Sequence, residues 1–113
     1  EVTTDTIAGA ACAYTLLAML WGNLYVLLEI VHPGSFAIPA PWRMELSGDL
    51  APALLYFSFM TLTTVGYGDI TPQWAGAGGL AAAEAVVGQL YLAITIARLV
   101  GLHISQRNAA PPR

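Results

Sequence analysis

At the centre of the sequence lies TLTTVGYGD, residues 61–69, and this stretch decides the fold. Its two glycines, Gly66 and Gly68, alternate with Val65 and Tyr67. Glycine adopts positive φ values that other residues resist, so a backbone of alternating handedness is possible here. In such a backbone the carbonyl oxygens all point to one side. We therefore expect a short extended segment that presents a row of backbone oxygens.

Two long apolar runs flank this segment, at residues 7–30 and at about residues 74–102. The chain is 57% hydrophobic, which is above the usual content of soluble domains. Each run exceeds the roughly 20 residues needed to cross a hydrocarbon core of about 30 Å. We predict an outer transmembrane helix over residues 7–31, capped by the polar residues 3–5 and ended by the proline and glycine of residues 32–34.

A third, shorter helix is predicted over residues 49–63, with Ser47 or Asp49 as N-cap and Pro52 in its first turn. It is too short to cross a bilayer, and since it lies between two spanning helices it must be re-entrant. Non-helical backbone at membrane depth is tolerated only where protein buries it or water lines it, so a pore or cavity is expected. Residues 32–48, rich in proline and glycine, fit an exposed loop.

A row of backbone oxygens at membrane depth suits the passage of potassium ions. Stacked rings of carbonyl oxygens can replace the hydration shell of K⁺ without holding the ion too tightly. One chain cannot form a ring, but four copies around an axis can. In that arrangement Thr64 adds a hydroxyl oxygen at the inner end, while Val65 and Tyr67 point away from the axis and pack behind the strand.

Residues 61–69 resemble the signature of the potassium channel family, of the two-transmembrane bacterial type, with the TVGYG segment unaltered. The resemblance covers about residues 7–105 and implies an all-α membrane protein with outer helix, re-entrant pore helix, selectivity filter at 64–69 and inner helix. It implies a fourfold tetramer in which residues 1–113 form one pore domain with an extracellular turret loop at 32–48. The K⁺-binding filter residues would be Thr64, Val65, Gly66, Tyr67 and Gly68.

The same resemblance implies an aromatic cuff that braces the filter, and Tyr56, Phe57 and Tyr67 match it. Asp69 follows the filter at the outer mouth, where its carboxylate can concentrate cations or accept a hydrogen bond from Tyr56. We favour the bracing role. Some bacterial relatives carry a glutamate in the pore helix behind the filter; Met60 stands there in this chain, which puts a carboxylate-linked form of filter gating in doubt.

The inner helix is predicted over residues 75–105. Gly88 lies 20 residues after Gly68 and resembles the family's hinge glycine, since glycine weakens a helix by about 1 kcal/mol relative to alanine. Close helix packing by small residues is the alternative. At 100° per residue, one stripe of the helix would line the cavity and an apolar gate that closes by dewetting. The stripe comprises Gln89, Leu92, Ile96, Val100 and Ile104 or His103.

Glu84 is an ionisable residue within the inner helix, where an exposed charge would cost about 2.5–3.5 kcal/mol on insertion. It lies off the pore-facing stripe, so we expect it to face the pore helix or a neighbouring subunit. A hydrogen bond to a pore-helix serine or threonine, with a protonated carboxyl, would suit it. Filter bracing and a purely structural polar clamp both remain open. Glu29 and Arg98 lie near helix ends, where snorkelling would satisfy them.

The remaining composition argues against other classes of protein. Seven acidic residues against four arginines and no lysine do not form a nucleic-acid surface. The sequence contains no phosphate loop, no metal-ligand cluster and no nucleophile with a base, so we expect no enzyme and no cofactor besides permeant K⁺. Membrane lipids are the other expected partners. Arg98, Arg107 and Arg113 at the far end of the inner helix place both termini in the cytoplasm, with the channel in the plasma membrane.

The prediction is passive, potassium-selective conduction by a homotetramer, as the pore module of a longer bacterial channel. A non-selective cation channel is one alternative, against which the intact Gly66-Tyr67-Gly68 counts. A membrane-embedded sensor subunit with a non-conducting filter is another.

Overall fold

The computed structural model describes residues 2–109, which form four helices and a two-stranded sheet. In chain order the elements are α1 Thr4–Val31, β1 Phe36–Ala37, α2 Ala40–Glu45, α3 Ala51–Leu62, β2 Thr71–Pro72 and α4 Ala75–Ala109. Arg113, which was expected to contribute to the cytoplasmic orientation, lies outside the described residues. The two ends of the predicted 1–113 domain also lie outside them.

Polar side chains and a proline set the bounds of α1. The Thr3 hydroxyl accepts a hydrogen bond from the Thr6 amide at 3.3 Å, and the Thr6 hydroxyl accepts one from the Thr3 amide at 3.4 Å. This capping box starts the helix at Thr4, three residues before the expected start. The helix ends at Val31 because His32 precedes Pro33 and takes a non-helical conformation, with φ −132° and ψ 81°.

Helices α1 and α4 are long and apolar enough to cross a membrane. They contain 28 and 35 residues, which corresponds to lengths of about 42 Å and 52 Å. Most of their apolar surface is exposed in the single chain, whereas the central helix of a soluble protein would be mostly buried. Helix α4 continues without interruption to Ala109, four residues beyond the predicted end.

Helix α3 packs against both long helices and contains 12 residues. Its N-cap is Leu50, not Ser47 or Asp49 as expected. The Asp49 carboxylate still satisfies the start of the helix, because it accepts a hydrogen bond from the Ala51 amide at 3.1 Å. Pro52 occupies the first turn, where no intrahelical donor is lost.

The expectation that residues 32–48 form a plain loop is wrong, because this segment contains β1 and α2. Strand β1 pairs antiparallel with β2, placing Phe36 opposite Pro72 and Ala37 opposite Thr71. Glu29 supports the turn into β1, since its carboxylate accepts the Gly34 amide at 2.8 Å and the Phe36 amide at 3.1 Å. Glu29 therefore binds backbone amides, whereas snorkelling alone was expected of it.

An aromatic core joins α1, β1 and α3. The rings of Tyr25, Phe36 and Phe57 meet pairwise with centroids 5.1–5.3 Å apart. Leu54 and Ile70 are also buried in this cluster. The core thus fixes α3 against the outer helix and places the segment after Leu62 on an open side of the chain.

Candidate functional site

The backbone of residues 64–68 alternates in handedness. Thr64, Gly66 and Gly68 have φ values of +60°, +55° and +78°, while Val65 and Tyr67 between them are not in the positive-φ region. Thr64 was not expected to share this conformation with the glycines. A left-handed conformation costs an L-residue about 1–2 kcal/mol, so the fold holds Thr64 under local strain.

Hydrogen bonds to the end of α3 anchor the inner part of this segment. The Thr63 amide donates to Phe59 O at 3.1 Å, the Thr64 amide to Thr61 O at 3.0 Å, and the Gly66 amide to Met60 O at 3.2 Å. The segment therefore starts at the C-terminal end of α3, where the helix dipole carries partial negative charge. A cation near Thr64 is favoured by that field.

At the outer end, Tyr56 holds Asp69. The phenol donates to Asp69 Oδ2 at 2.8 Å, and the same carboxylate accepts the Ile70 amide at 3.0 Å through Oδ1. The Trp42 ring lies edge-on to Tyr56, with centroids 5.1 Å apart. The hydrogen bond expected between Tyr56 and Asp69 is thus present, and it links α3 to the residue that follows the glycine segment.

At the inner end, α4 contacts the segment through Gln89, whose amide donates to the Thr64 hydroxyl at 3.3 Å. Beyond Gln89, the residues of the predicted stripe are exposed on α4 in the single chain. They are Leu92, Ile96, Val100 and Ile104, with 37–59% of each residue's surface accessible.

Residues 63–69 are themselves exposed in the single chain. Val65 and Tyr67 are 49% and 73% accessible in the single chain. Their packing behind the strand was expected for an arrangement of four copies and stays a prediction. Phe57 has different neighbours from those of the expected cuff, because its ring is buried against Tyr25 and Phe36. Of the three cuff residues, Tyr56 is the one whose hydrogen bond reaches the end of the segment.

Glu84 is completely buried where α1, α3 and α4 meet. Its Oε1 lies 2.5 Å from the Ser58 hydroxyl of α3, and its Oε2 accepts a hydrogen bond from the Tyr25 hydroxyl of α1. The Ser58 hydroxyl also lies 2.7 Å from Ala18 O of α1. The expected pore-helix partner is therefore present, while Tyr25 was missed.

Gly88 occupies the same face of α4 one turn further on, and it packs against Leu62. A Cβ on Gly88 would lie 2.8 Å from Leu62 Cδ1 and closer still to the Leu62 carbonyl oxygen. That oxygen accepts a hydrogen bond from the Tyr14 hydroxyl of α1 at 3.0 Å. Close packing, one of the two explanations for Gly88, thus has a direct structural basis; the hinge stays a prediction.

These contacts form two successive levels across the three helices. Ser58 meets Glu84 and Leu62 meets Gly88, so a step of four residues along α3 matches a step of four along α4. The two helices therefore run parallel at this point. The α1 partners, Ala18 and Tyr14, follow in the reverse order because α1 runs antiparallel.

Tyr14 and Tyr25 are the site residues that the sequence analysis missed. They are eleven residues apart, about three helical turns, and so share one face of α1. The sequence contained a signal for them, because a phenol within an apolar helix needs a hydrogen-bond partner on a neighbouring helix.

Residues 2–109 contain no group of three or more His, Cys, Asp or Glu side chains that could hold a metal ion. His32 stacks on Trp74, with centroids 4.9 Å apart, while His103 lies near the far end of α4. The oxygen-rich feature is instead the backbone of residues 64–68. Carbonyl and hydroxyl oxygens are ligands suited to alkali cations.

Comparison with known proteins agrees with this architecture. A family model described as "Ion channel" matches residues 2–103. The chain is similar to Protein LctB of Bacillus caldotenax, with 34% identity over 90 residues. The match covers 77% of this chain and 64% of that relative's length, so the chain spans somewhat less than two thirds of it.

Proposed function

Because the chain belongs to the two-transmembrane ion channel family, we propose that four copies assemble around an axis and conduct K⁺ passively and selectively. In this assembly residues 64–68 of each copy form one side of the selectivity filter. The permeant ions are coordinated by Thr64, Val65, Gly66, Tyr67 and Gly68. No other cofactor takes part.

The alternating backbone of residues 64–68 is the observation that carries this proposal. Positive φ at Thr64, Gly66 and Gly68, with ordinary φ between them, is the pattern that turns successive carbonyls toward one side. Thr64 is β-branched, and residues of this kind rarely adopt positive φ, which supports a specific requirement for this backbone conformation at the site. Rings of such carbonyls replace the hydration shell of K⁺, with a field and spacing that disfavour smaller cations.

Exposure of the segment fits an assembly in which other copies cover it. Tyr67 is 73% accessible in the single chain, although it is large and lies within a membrane protein. In the tetramer its ring packs against a neighbouring copy and helps to set the width of the filter, together with the bond between Tyr56 and Asp69. The cuff is then formed between chains.

The inner half of the conduction path lies along α4. Gln89 stands near the Thr64 hydroxyl, at the top of a water-filled cavity. Below it, Leu92, Ile96, Val100 and Ile104 line the cavity and the gate. An apolar constriction of this kind closes by dewetting.

Arg98 and Arg107 in the second half of α4 support an orientation of the chain in the membrane. The positive-inside rule puts the C-terminal end of α4 in the cytoplasm, so both termini are cytoplasmic and the β1–β2 pair is extracellular. The channel belongs to the plasma membrane, where lipids contact the outward faces of α1 and α4.

Single-channel recording and liposome flux of the purified chain test the proposal. We expect K⁺ currents whose reversal potential follows the K⁺ gradient when Na⁺ replaces K⁺ on one side, and a tetramer on chemical cross-linking. A reversal potential that ignores the K⁺/Na⁺ exchange would indicate a non-selective cation channel. Absence of flux from a correctly folded tetramer would indicate a sensor subunit, and a monomer or dimer would contradict the filter itself.

A further inference from the structure

Glu84 belongs to a series of hydrogen bonds in which the number of short oxygen–oxygen contacts can be compared with the number of donor protons. The Ser58 hydroxyl is within hydrogen-bonding distance of two oxygens, Ala18 O at 2.7 Å and Glu84 Oε1 at 2.5 Å. A hydroxyl has one proton to donate, and a backbone carbonyl has none. Both short contacts are hydrogen bonds only if the second proton comes from Glu84.

We propose that Glu84 is a protonated carboxylic acid in the native protein and that this proton positions the filter-bearing helix α3 between α1 and α4. The Tyr25 hydroxyl donates to Oε2, the Glu84 acid donates from Oε1 to Ser58, and Ser58 donates to Ala18 O. Every polar atom in this series of hydrogen bonds then has a partner. If Glu84 were ionised, the Ser58 hydroxyl would donate its hydrogen bond to the carboxylate. Ser58 Oγ and Ala18 O would then lie 2.7 Å apart with no proton between them.

The charges around the site agree with a neutral acid. Helices α1 and α3 contain no lysine, arginine or histidine. Along α4 the nearest arginine is Arg98, fourteen residues or about 21 Å away. Arg43 of α2 donates instead to Phe36 O and Ile38 O, at 3.4 and 3.3 Å. A buried carboxylate without a cation costs several kcal/mol, so the neutral form is favoured.

The other titratable groups that face Glu84 are phenols. Tyr25 donates to its Oε2, and Tyr14, one level away, donates to Leu62 O. From helix α3, the group that faces Glu84 is the Ser58 hydroxyl. The phenol of α3, Tyr56, is instead hydrogen-bonded to Asp69. None of these groups carries a positive charge at any pH, so none supplies the cation that would stabilise an ionised Glu84.

Infrared spectroscopy of the purified full chain tests the protonation directly. The spectrum of the wild type minus that of Glu84→Gln at neutral pH should contain the C=O stretch of a protonated carboxylic acid, while carboxylate bands in its place would overturn the proposal. Tyr25→Phe provides a second test that does not depend on the folding of Glu84→Gln. Loss of the bond to Oε2 should raise the frequency of that C=O stretch, and an unchanged spectrum would contradict the assignment.

A pH series of thermal unfolding separates a positioning proton from ordinary packing. Glutamine keeps an N–H donor for Ser58 and a carbonyl acceptor for Tyr25 but has no titratable proton, so Glu84→Gln should fold without this contribution to the pH dependence. Above about pH 4.3 an exposed glutamate is ionised, so unfolding the wild type releases the Glu84 proton. Its folding constant should then fall relative to Glu84→Gln by up to about tenfold per pH unit and per chain. Equal pH profiles for the two proteins would refute the proposal.

Glu45→Gln is the matched control, because it removes an exposed carboxylate and should leave the pH profile of the wild type unchanged. The link between this proton and conduction, unlike the proton itself, rests on the proposed function. We expect K⁺ flux to decline at alkaline pH in the wild type and to persist in Glu84→Gln. If the wild type carries no flux at any pH, the channel proposal fails, while the spectra and melting curves still judge the proton.

Discussion

Gly88 of α4 lies directly against the carbonyl group of Leu62, the last residue of α3 before residues 64–68. We predict that Gly88→Ala destabilises the protein. An added methyl overpacks a site whose neighbour is backbone, which costs about 1–3 kcal/mol and outweighs the gain of about 1 kcal/mol in helix propensity. Thermal unfolding of the purified protein measures the change.

Gly79→Ala is the control for this variant, since Gly79 is on the same helix and nothing lies within 4 Å of its added Cβ in the chain. That substitution should be neutral or stabilising. The hinge interpretation of Gly88 makes a different prediction, namely that Gly88→Ala keeps its stability and alters the open probability in single-channel records. A stable Gly88→Ala with altered gating would therefore favour the hinge.

Tyr56 and Asp69 allow the bracing and cation-attracting roles of Asp69 to be separated. If the hydrogen bond braces the filter, Tyr56→Phe should weaken K⁺/Na⁺ selectivity, with only a small loss of stability because solvent screens the exposed pair. Asp69→Asn keeps an acceptor oxygen and should have the milder effect. Reversal potentials and melting curves measure both.

The opposite ranking would indicate attraction of cations by charge. In that case Asp69→Asn lowers single-channel conductance, most strongly at low ionic strength where screening is weak, and Tyr56→Phe leaves it unchanged. A double variant completes the cycle, because two residues that act through one hydrogen bond should show effects that do not add.

Substitution of Val100 tests the proposed apolar gate on α4. Val100→Asn should hydrate the constriction and raise the open probability severalfold, because a polar side chain opposes dewetting. Ile94→Asn is the matched control on the same helix, away from the pore-facing stripe and 65% accessible. It carries a similar cost of inserting a polar side chain without touching the gate. Equal gating in the two variants would contradict the assignment of the stripe.

The helices could be predicted from the sequence because local properties determine them. The apolar runs are long enough to span a bilayer, Thr3 provides a cap, and Pro33 ends α1. The family confirms the two-transmembrane architecture. The strand pair was missed because β1 finds its partner about 35 residues later, at β2, and a two-residue strand has no periodicity of its own.

The site was predicted less completely, since its partners depend on how the helices are rotated against one another. Tyr56 and Phe57 are adjacent and point about 100° apart, so they face different sides of α3, and Phe57 belongs to the core. The sequence predicted that a serine or threonine of α3 would bind Glu84, and Ser58 is that residue. Tyr25 was not predicted because it belongs to another helix, α1. Positive φ at Thr64 is rare for a β-branched residue, and no propensity predicts it.

Gly66 and Gly68 provide the sharpest test of the filter backbone. Alanine at either position must hold a positive φ, which costs about 1–2 kcal/mol, or let the segment relax and turn a carbonyl away. We expect both variants to lose K⁺ flux in liposomes. Gly34→Ala is the matched control, since Gly34 has φ +85° in the turn before β1 and an added Cβ meets nothing within 4 Å. It should lose similar stability yet keep its flux. Conduction that survives Gly66→Ala and Gly68→Ala unchanged would mean that these carbonyls do not line the path of the ion.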